Sequence, residues 1–278
     1  CFGSPGVLAC GAWRGKSHSR YAFPADMKLL SLARDLQRRK ARERQSLFVA
    51  EGVRAVEELL ASPLKVIGAL VTADASSSER VAKLRQAIEE RRIEVAEVSD
   101  RDFLSASDTD SPQGVLAVAE IPDRSLASLA LSERARVLVL DAIQDPGNVG
   151  TILRTAAAFE VGASIAMPGT VDLWNAKVVR SAMGALFHHH ALYASWSQLD
   201  GFLAQNDVML WGADAAGARL GDRGAPPRLA IPAGNEGSGP RSDARSRATH
   251  TVSIPTAPNV ESLNVAVAAG ILLHHFRP

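Results

Sequence analysis

The feature that most constrains the fold is the stretch near the C-terminal end, residues 254–273. Pro255 and Pro258 exclude a regular helix in its first half, because proline lacks an amide hydrogen and restricts the residue before it. From Leu263 onward nearly every residue is apolar, which predicts a helix that is buried on most sides. At about eleven residues this apolar run is too short to span a bilayer. The stretch therefore predicts a stiff loop that leads into the core of a globular domain.

Two polar residues, Ser262 and Asn264, interrupt the start of this predicted helix. Ser262 can be interpreted simply as an N-cap that accepts hydrogen bonds from free backbone amides. Asn264 would then be a second polar group at the entrance of a buried helix, where polar groups need hydrogen-bonding partners. A proline-stiffened loop that carries polar groups to this position is typical of the floor of a ligand pocket.

The charge of the chain is unevenly distributed. The 278 residues are 46% hydrophobic and carry a net charge of only +1, whereas residues 1–50 contain ten Lys and Arg against three Asp and Glu. A basic N-terminal part favours an anionic partner such as nucleic acid, although a solvated basic helix is an alternative. Arginine binds phosphate well through its bidentate guanidinium. The candidate RNA-binding residues on a predicted helix at 27–45 are Arg38, Arg39, Lys40, Arg42 and Arg44.

The cysteine content indicates a reducing compartment, so we expect a cytoplasmic protein. The two cysteines, Cys1 and Cys10, provide neither a disulfide framework nor a CxxC metal motif. We expect residues 1–26, with four glycines and two prolines, to be a poorly ordered extension, and Met27 to be a plausible natural start. No segment has the apolar length of a membrane helix.

Alternating strand and helix patterns predict an α/β protein with two domains. Residues 27–120 form the smaller domain, residues 121–135 a linker, and residues 136–278 the larger domain. The continuous apolar run at 137–140 is typical of a parallel strand that is buried on both faces. Further along we expect helices at 151–160 and 175–186, and a loop at 215–227.

Two other segments follow predicted strands, residues 141–159 and residues 233–239. A loop between a buried strand and a helix is where α/β proteins bind ligands. In the first segment Asn148 is a natural N-cap, and Arg154 lies among apolar helix residues, where a guanidinium needs an anion or a route to solvent. In the second segment Glu236 is the only carboxylate. Its glycines do not follow the dinucleotide pattern, which argues against a nicotinamide-dependent dehydrogenase.

Residues 141–159, 233–239 and 254–265 resemble, in this order, the three motifs of the SpoU/TrmH family of RNA ribose 2′-O-methyltransferases, part of the SPOUT class. Residues 48–54 and 113–117 are similar to the N-terminal substrate-binding domain of many SpoU proteins. The resemblance implies a C-terminal SPOUT α/β domain with a parallel sheet and a trefoil knot. It also implies a smaller N-terminal α/β domain that is ribosomal-protein-like and binds RNA.

The resemblance further implies an S-adenosylmethionine cofactor, a homodimer, and methyl transfer to a ribose 2′-hydroxyl of 23S-type rRNA. A tRNA methyltransferase of the same family and a catalytically silent RNA-binding paralogue are the alternatives. The residues that it implies in catalysis are Asn148, Arg154, Glu236, Ser262 and Asn264. The residues that it implies in cofactor binding are Ala233, Gly234, Ile254 and Leu263. We expect no metal site, because the adjacent histidines at 188–190 would alternate faces in a strand.

Overall fold

The computed structural model describes residues 27–221, 224–234, 239, 241–257, 259–260 and 262–278. The expected extension at 1–26 lies outside the described residues, and so does Glu236. In the described part of the chain, none of the helices has both the length and the apolar character needed to cross a membrane.

The N-terminal part is built around a mixed four-stranded sheet with the strand order β1-β4-β2-β3. Strand β4 is antiparallel to both β1 and β2, whereas β2 and β3 are parallel. The elements are α1 Met27–Leu36, α2 Arg39–Gln45, β1 Leu47–Glu51, α3 Val53–Ala61, β2 Val66–Thr72, α4 Ala73–Ser76, α5 Glu79–Glu90, β3 Glu94–Val98, α6 Asp100–Leu104 and β4 Val115–Glu120.

The single helix predicted at 27–45 is divided into α1 and α2. Arg38 has the extended backbone conformation φ −88°, ψ 130°, which interrupts the helical hydrogen bonds between the two parts. The predicted apolar face of α1 is confirmed, because Leu29, Ala33 and Leu36 are buried. The break allows α2 to turn its basic residues in a direction that a continuous helix could not reach.

The C-terminal part contains a six-stranded sheet in which all pairings are parallel, with the order β10-β8-β9-β5-β6-β7. This confirms the predicted α/β class and the parallel sheet. The elements are β5 Ala135–Leu140, α7 Pro146–Ala158, β6 Ala163–Ala166, α8 Ala176–Ser181, α9 Ala185–His188, β7 Ala191–Tyr193, α10 Trp196–Gln205, β8 Met209–Arg219, β9 Arg228–Ala233, α11 Ser242–Arg247, β10 His250–Ser253 and α12 Val265–Phe276. A short 3-10 helix, Leu126–Ser128, lies between the two sheets in sequence.

Strand β8 extends to Arg219, so it occupies part of the loop that was predicted at 215–227. Gly217 explains why this segment can be a strand. A Cβ atom at Gly217 would lie 2.6 Å from the carbonyl carbon of Val252 in β10. A glycine is therefore required for the two strands to approach each other. Because glycine is also common in loops, this residue had contributed to the prediction of a loop here.

Helix α12 is less enclosed than its composition suggested. Its inner face is buried and includes Ala269, Leu272 and Phe276, whereas Val267 on the opposite face is 53% exposed. The prediction of burial on most sides is therefore wrong for that face. At the end of the helix the buried Arg136 side chain donates a hydrogen bond to the Phe276 carbonyl oxygen, which ties the helix to the start of β5.

The two sheets share buried contacts. Phe48 of β1 packs on Trp174 and Phe187 of the C-terminal part, with ring centroids 4.5 and 5.8 Å apart. Arg42 of α2 forms a buried ion pair with Asp172, with nitrogen and oxygen 2.6 Å apart. These contacts place α2 and α3 beside the loops that follow the parallel strands.

Candidate active site

The site lies at the carboxyl ends of β5 and β9, the two central strands of the parallel sheet. Strands β6 and β7 lie on one side of β5 in the sheet, whereas β9, β8 and β10, which come later in the chain, lie on its other side. Such a switch in strand order opens a crevice where open α/β sheets bind ligands. Asp141 directly follows β5 and is fully buried. It accepts hydrogen bonds from the backbone amide and from Nε of Arg241 at 2.7 and 2.8 Å, so it fixes the end of the loop after β9.

The loop after β5 leads directly into α7. Asp145 is the N-cap, and its carboxylate accepts hydrogen bonds from the amides of Gly147 and Asn148 at 2.5 and 3.1 Å. Pro146 occupies the first helical position, where its missing amide hydrogen costs nothing. The helix therefore begins five residues before the predicted start at 151, and the interpretation of Asn148 as its N-cap is wrong. The Asn148 side chain instead makes a tertiary contact.

That contact is with Asn264, the N-cap of α12. The Asn264 Oδ1 atom accepts hydrogen bonds from the amides of Ala266 and Val267 at 2.9 and 3.3 Å. Its Nδ2 atom donates to Oδ1 of Asn148 at 3.1 Å. Ser262 is exposed and is not the cap, so the simple interpretation of Ser262 is also wrong. The structure thus brings together two predicted site residues that are far apart in sequence.

Arg154 lies on a different face of α7 from Asn148, because six residues correspond to roughly 240° around a helix. Its side chain is exposed, and Nη1 contacts Sδ of Met183 at 2.8 Å. Gly150, one turn earlier, lets this face approach α8, since a Cβ atom there would lie 1.8 Å from Oγ of Ser181. No acid among the described residues lies within ion-pair distance of Arg154. Its charge is available to an anion.

A cavity of about 240 Å³ lies between β8, β9, β10 and α11. Its walls are mostly small side chains, which leave room for a flat group, and the polar residues Asp214, Arg245 and Thr251 also line it. The small wall residues are Gly212, Ala213, Ala216, Pro232, Ala244 and Ala248. Small-molecule sites usually measure about 300–1,000 Å³, so this cavity is smaller than a site for a whole ligand. The sequence did not reveal this wall, because α11 was not predicted and the end of β8 was predicted to be a loop.

The four predicted cofactor contacts lie beside this cavity in sequence and do not line it. Ala233 and Gly234 are buried and follow directly on Pro232. Ile254 and Leu263 are half-buried and flank the loop between β10 and α12.

The basic residues of α2 and of its N-cap, Arg38, do not form one surface. The Arg42 guanidinium is buried and donates to Asp172 Oδ2 at 2.7 Å and to the carbonyl oxygens of Leu36 and Gln37 at 2.6 and 2.8 Å. The expectation that Arg42 contacts RNA is therefore revised, because its donors are used within the protein. The other four basic residues are exposed: Arg38, Arg39, Lys40 and Arg44.

Of these exposed cations, Arg39 lines a cleft of about 820 Å³ between α2 and the carboxyl ends of β6 and β7. Tyr193 lines the cleft, and its hydroxyl donates to Oδ1 of Asp172 at 2.8 Å. Burial, together with the negative charge of Asp172, raises the pKa of the Tyr193 hydroxyl, so it stays protonated. The wall also includes Gln144 of the loop after β5, which places the cleft on the same edge of the sheet as the candidate site.

The histidines at 188–190 do not converge. His189 is buried, and its Nε2 atom lies 2.8 Å from Oγ of Ser164, whereas His188 and His190 are exposed. Within the described ranges, no group of three or more His, Cys, Asp or Glu side chains could hold a metal ion.

Two family models together match most of the chain. Residues 135–274 match the SpoU rRNA Methylase family, and residues 30–117 match the MRM3-like substrate binding domain. The chain is 33% identical over 243 residues to the 23S rRNA (guanosine(2553)-2′-O)-methyltransferase RlmP of Bacillus subtilis. The matched region covers 87% of this chain and 93% of the relative.

Solved structures of similar proteins have the same fold. A putative RNA methyltransferase of the TrmH family from Porphyromonas gingivalis is 30% identical, with a TM-score of 0.77, and the match covers 92% of this chain and 99% of that one. An rRNA methyltransferase from Sinorhizobium meliloti with bound AdoMet is 25% identical, with a TM-score of 0.79, and the match covers 91% and 96%.

Proposed function

Because this chain belongs to the SpoU rRNA methylase family, we propose that it methylates a ribose 2′-hydroxyl of large-subunit rRNA at the carboxyl edge of its parallel sheet. The chain is an RNA (ribose-2′-O)-methyltransferase, and its cofactor is S-adenosylmethionine. The choice of the large subunit is supported by the similarity to a 23S rRNA methyltransferase over 87% of this chain. The main support for the proposed location of the site is the hydrogen bond between Asn148 and Asn264.

S-adenosylmethionine supplies a methyl group on a positively charged sulfur. The protein must hold the ribose oxygen in line with that carbon, and such alignment can provide up to about 7–11 kcal/mol. We assign the alignment to the joined starts of α7 and α12, where the Asn148–Asn264 hydrogen bond fixes one helix against the other. Ser262, exposed just before α12, contacts the reacting ribose. Glu236, which lies outside the described residues, is proposed to position the substrate.

Arg154 stabilises the negative charge that develops on the ribose oxygen. Its guanidinium is exposed and makes a weak contact with the Met183 sulfur. Arginine has a pKa above about 12, so it is a poor general base and a good electrostatic partner. Ala233, Gly234, Ile254 and Leu263 are proposed to hold the cofactor against the cavity that includes Gly212 and Pro232.

The outer face of α12 supports the proposal of a homodimer. Val267, which is 53% exposed, lines a shallow cavity of about 440 Å³ together with Phe159, Leu220 and Ile271. Exposed apolar surface of this kind often marks a protein interface. The face belongs to the helix whose first turn carries Asn264, so a second copy would lie close to the active site.

The remaining proposals rest on the family resemblance and on the sequence patterns. They are a trefoil knot in the C-terminal domain, a cytoplasmic location, and domains at 27–120 and 136–278 joined by a linker at 121–135. The exposed residues of α2 are proposed to contact RNA: Arg38, Arg39, Lys40 and Arg44.

The test is transfer of labelled methyl from S-adenosylmethionine to unmodified rRNA and tRNA transcripts, followed by alkaline hydrolysis. A 2′-O-methyl group protects the adjacent phosphodiester, so the proposal expects label in an alkali-resistant dinucleotide from large-subunit rRNA alone. Label in tRNA alone would overturn the proposed substrate. Cofactor binding without label in any RNA, including assembled ribosomal particles, would overturn the proposed activity.

A further inference from the structure

Another cavity lies between the two sheets, on the Arg154 side of α7. We call it the interdomain cleft, and it measures about 260 Å³. The N-terminal part contributes the start of α3 and the loop before β4, and the C-terminal part contributes the turn between α8 and α9. Its lining residues include Glu51, Arg54, Thr109, Gln113, Arg180 and Met183.

The walls of the interdomain cleft are fixed by internal hydrogen bonds. The buried Glu51 carboxylate accepts from the amide of Asp108 and from Oγ1 of Thr109, both at 2.9 Å. Gln113 Oε1 accepts from the amide of Val53 at 2.9 Å, which joins the two N-terminal walls. These hydrogen bonds fix the positions of the walls, and the Glu51 carboxylate keeps its negative charge because all its donors are neutral.

The two sides of the cleft are in tight contact at Gly184. This residue has φ +87°, and a Cβ atom there would lie 2.7 Å from Cβ of Glu58 in α3. Only glycine suits both the conformation and the contact. The turn that carries Met183 is thus held directly against the N-terminal domain, so the width of the cleft is set by packing.

Two arginines line the interdomain cleft together with one carboxylate, Glu51. The Nη1 atom of Arg180 is buried and has no hydrogen-bond partner among the described residues, and the nearest carboxylate oxygen, Oδ2 of Asp108, is 3.7 Å away. Arg54 is exposed, and within the described ranges no acid lies within 4 Å of its guanidinium. A buried donor without an acceptor is costly, so such a group in a cleft indicates a ligand that accepts hydrogen bonds.

The cleft is next to the catalytic centre. Met183 lines it and also contacts Nη1 of Arg154 at 2.8 Å. Three arginines, two from the methyltransferase domain and one from the substrate-binding domain, therefore lie around one methionine. An RNA strand whose target ribose meets Arg154 would place a neighbouring phosphate within reach of the other two.

We propose that the interdomain cleft binds a phosphodiester of the substrate RNA adjacent to the target ribose, through Arg180 and Arg54. This inference rests on the proposed function. It makes the two arginines positioning residues, because they hold the strand and do not touch the transferred methyl group. Contacts from both domains to one phosphate would also explain why the domains are packed tightly at Gly184.

The test compares Arg180→Ala and Arg54→Ala with the wild-type protein, using an RNA that the wild type methylates. Each variant should raise the KM for RNA about tenfold, since a charge-assisted hydrogen bond is lost. The slope of log affinity against log salt should decrease by about 0.7–0.9 for each phosphate contact removed. Calorimetric affinity for S-adenosylmethionine should be unchanged, and Arg180→Lys should recover part of the RNA affinity.

Arg101→Ala is the matched control, because Arg101 is exposed on α6, a helix of the same domain that does not line the cleft. Its KM and salt slope should equal those of the wild type. Asp108→Asn separates a structural role for Arg180 from a binding role. If Arg180 binds phosphate, Asp108→Asn keeps or improves RNA affinity. The inference is overturned if Asp108→Asn and Arg180→Ala lose the same amount of stability while the salt slope of RNA binding stays at the wild-type value. A wild type that methylates no RNA would refute the proposed function itself.

Discussion

The side chains of Asn148 and Asn264 are joined by a hydrogen bond of 3.1 Å between residues 116 positions apart. Asn264 uses its oxygen to cap α12 and its nitrogen to reach Asn148, so one amide performs both functions. A carboxylate could accept the capping hydrogen bonds but could not donate to Asn148, whereas an amide can do both. The asparagine at 264 is therefore explained by the tertiary contact as well as by the helix.

Replacing Asn264 by aspartate should separate these two functions. Asn264→Asp retains the cap and loses the donor, so we expect a fold stability near that of the wild type and a clear loss of kcat. Asn264→Ala loses both, and we expect a further loss of about 0.5–2 kcal/mol of stability. Urea denaturation and single-turnover methylation measure the two effects. Equal kcat for Asn264→Asp and the wild type would show that the link to Asn148 is not used in catalysis.

Arg154→Ala should reduce kcat by about 10²–10³-fold, as expected for the loss of one electrostatic contact to a developing charge. The side chain is exposed and in contact with Met183, so thermal stability and cofactor affinity should change little. Arg134→Ala, another exposed arginine of the C-terminal half, is the control and should keep full activity. Unfolding of Arg154→Ala at the temperature of the assay would instead indicate a structural role.

The α/β class and the parallel sheet could be predicted from the sequence, because they depend on local hydrophobic patterns. The three motifs were identified by their resemblance to the SpoU/TrmH family. The cap of α7 was not predicted, since Asp145 and Asn148 are both good cap residues and only the position of Pro146 decides between them. The length of β8 was not predicted either, because the glycine needed for strand packing at 217 is also a common loop residue.

The basic residues of α2 show that the candidate site, too, could be predicted from the sequence only in part. The sequence of this region gives no sign that Arg42 differs from Arg38 or Lys40, because burial is set by a partner 130 residues away. The small-residue wall around Gly212 and Ala248 was also hidden, because it forms only when β8, β10 and α11 are assembled. Tertiary contacts of this kind leave no periodic signal in the chain.

Arg42→Ala is therefore expected to act on stability and not on RNA binding. Removing one partner of a buried ion pair typically costs about 3–5 kcal/mol, because the other charge is left buried and unpaired. The loss should appear in the urea midpoint, while the salt slope of RNA binding stays at the wild-type value. Lys40→Ala, two residues away and exposed, should lower the salt slope and leave the urea midpoint unchanged. A reduced salt slope without destabilisation in Arg42→Ala would contradict the assigned structural role.

The buried His189 should make stability depend on pH. Burial lowers its pKa from 6.5 to about 4, and the positive charge of Arg124 adds to the effect. Between pH 6.5 and 4 the unfolded chain binds a proton that the folded protein does not bind, so stability falls as the pH falls through this range. The total contribution is at most about 3 kcal/mol at pH 4, and none is expected above pH 7.

Thermal unfolding of His189→Gln between pH 7.5 and 5 tests this expectation. Glutamine can keep a hydrogen bond to Ser164 and does not titrate, so the variant should lose less stability on acidification than the wild type does. His188→Gln, on the exposed neighbouring position, should retain the wild-type slope. Because the comparison is between slopes, a uniform destabilisation from imperfect packing of the glutamine does not affect it. Parallel curves for His189→Gln and the wild type would mean that other groups cause the acid sensitivity.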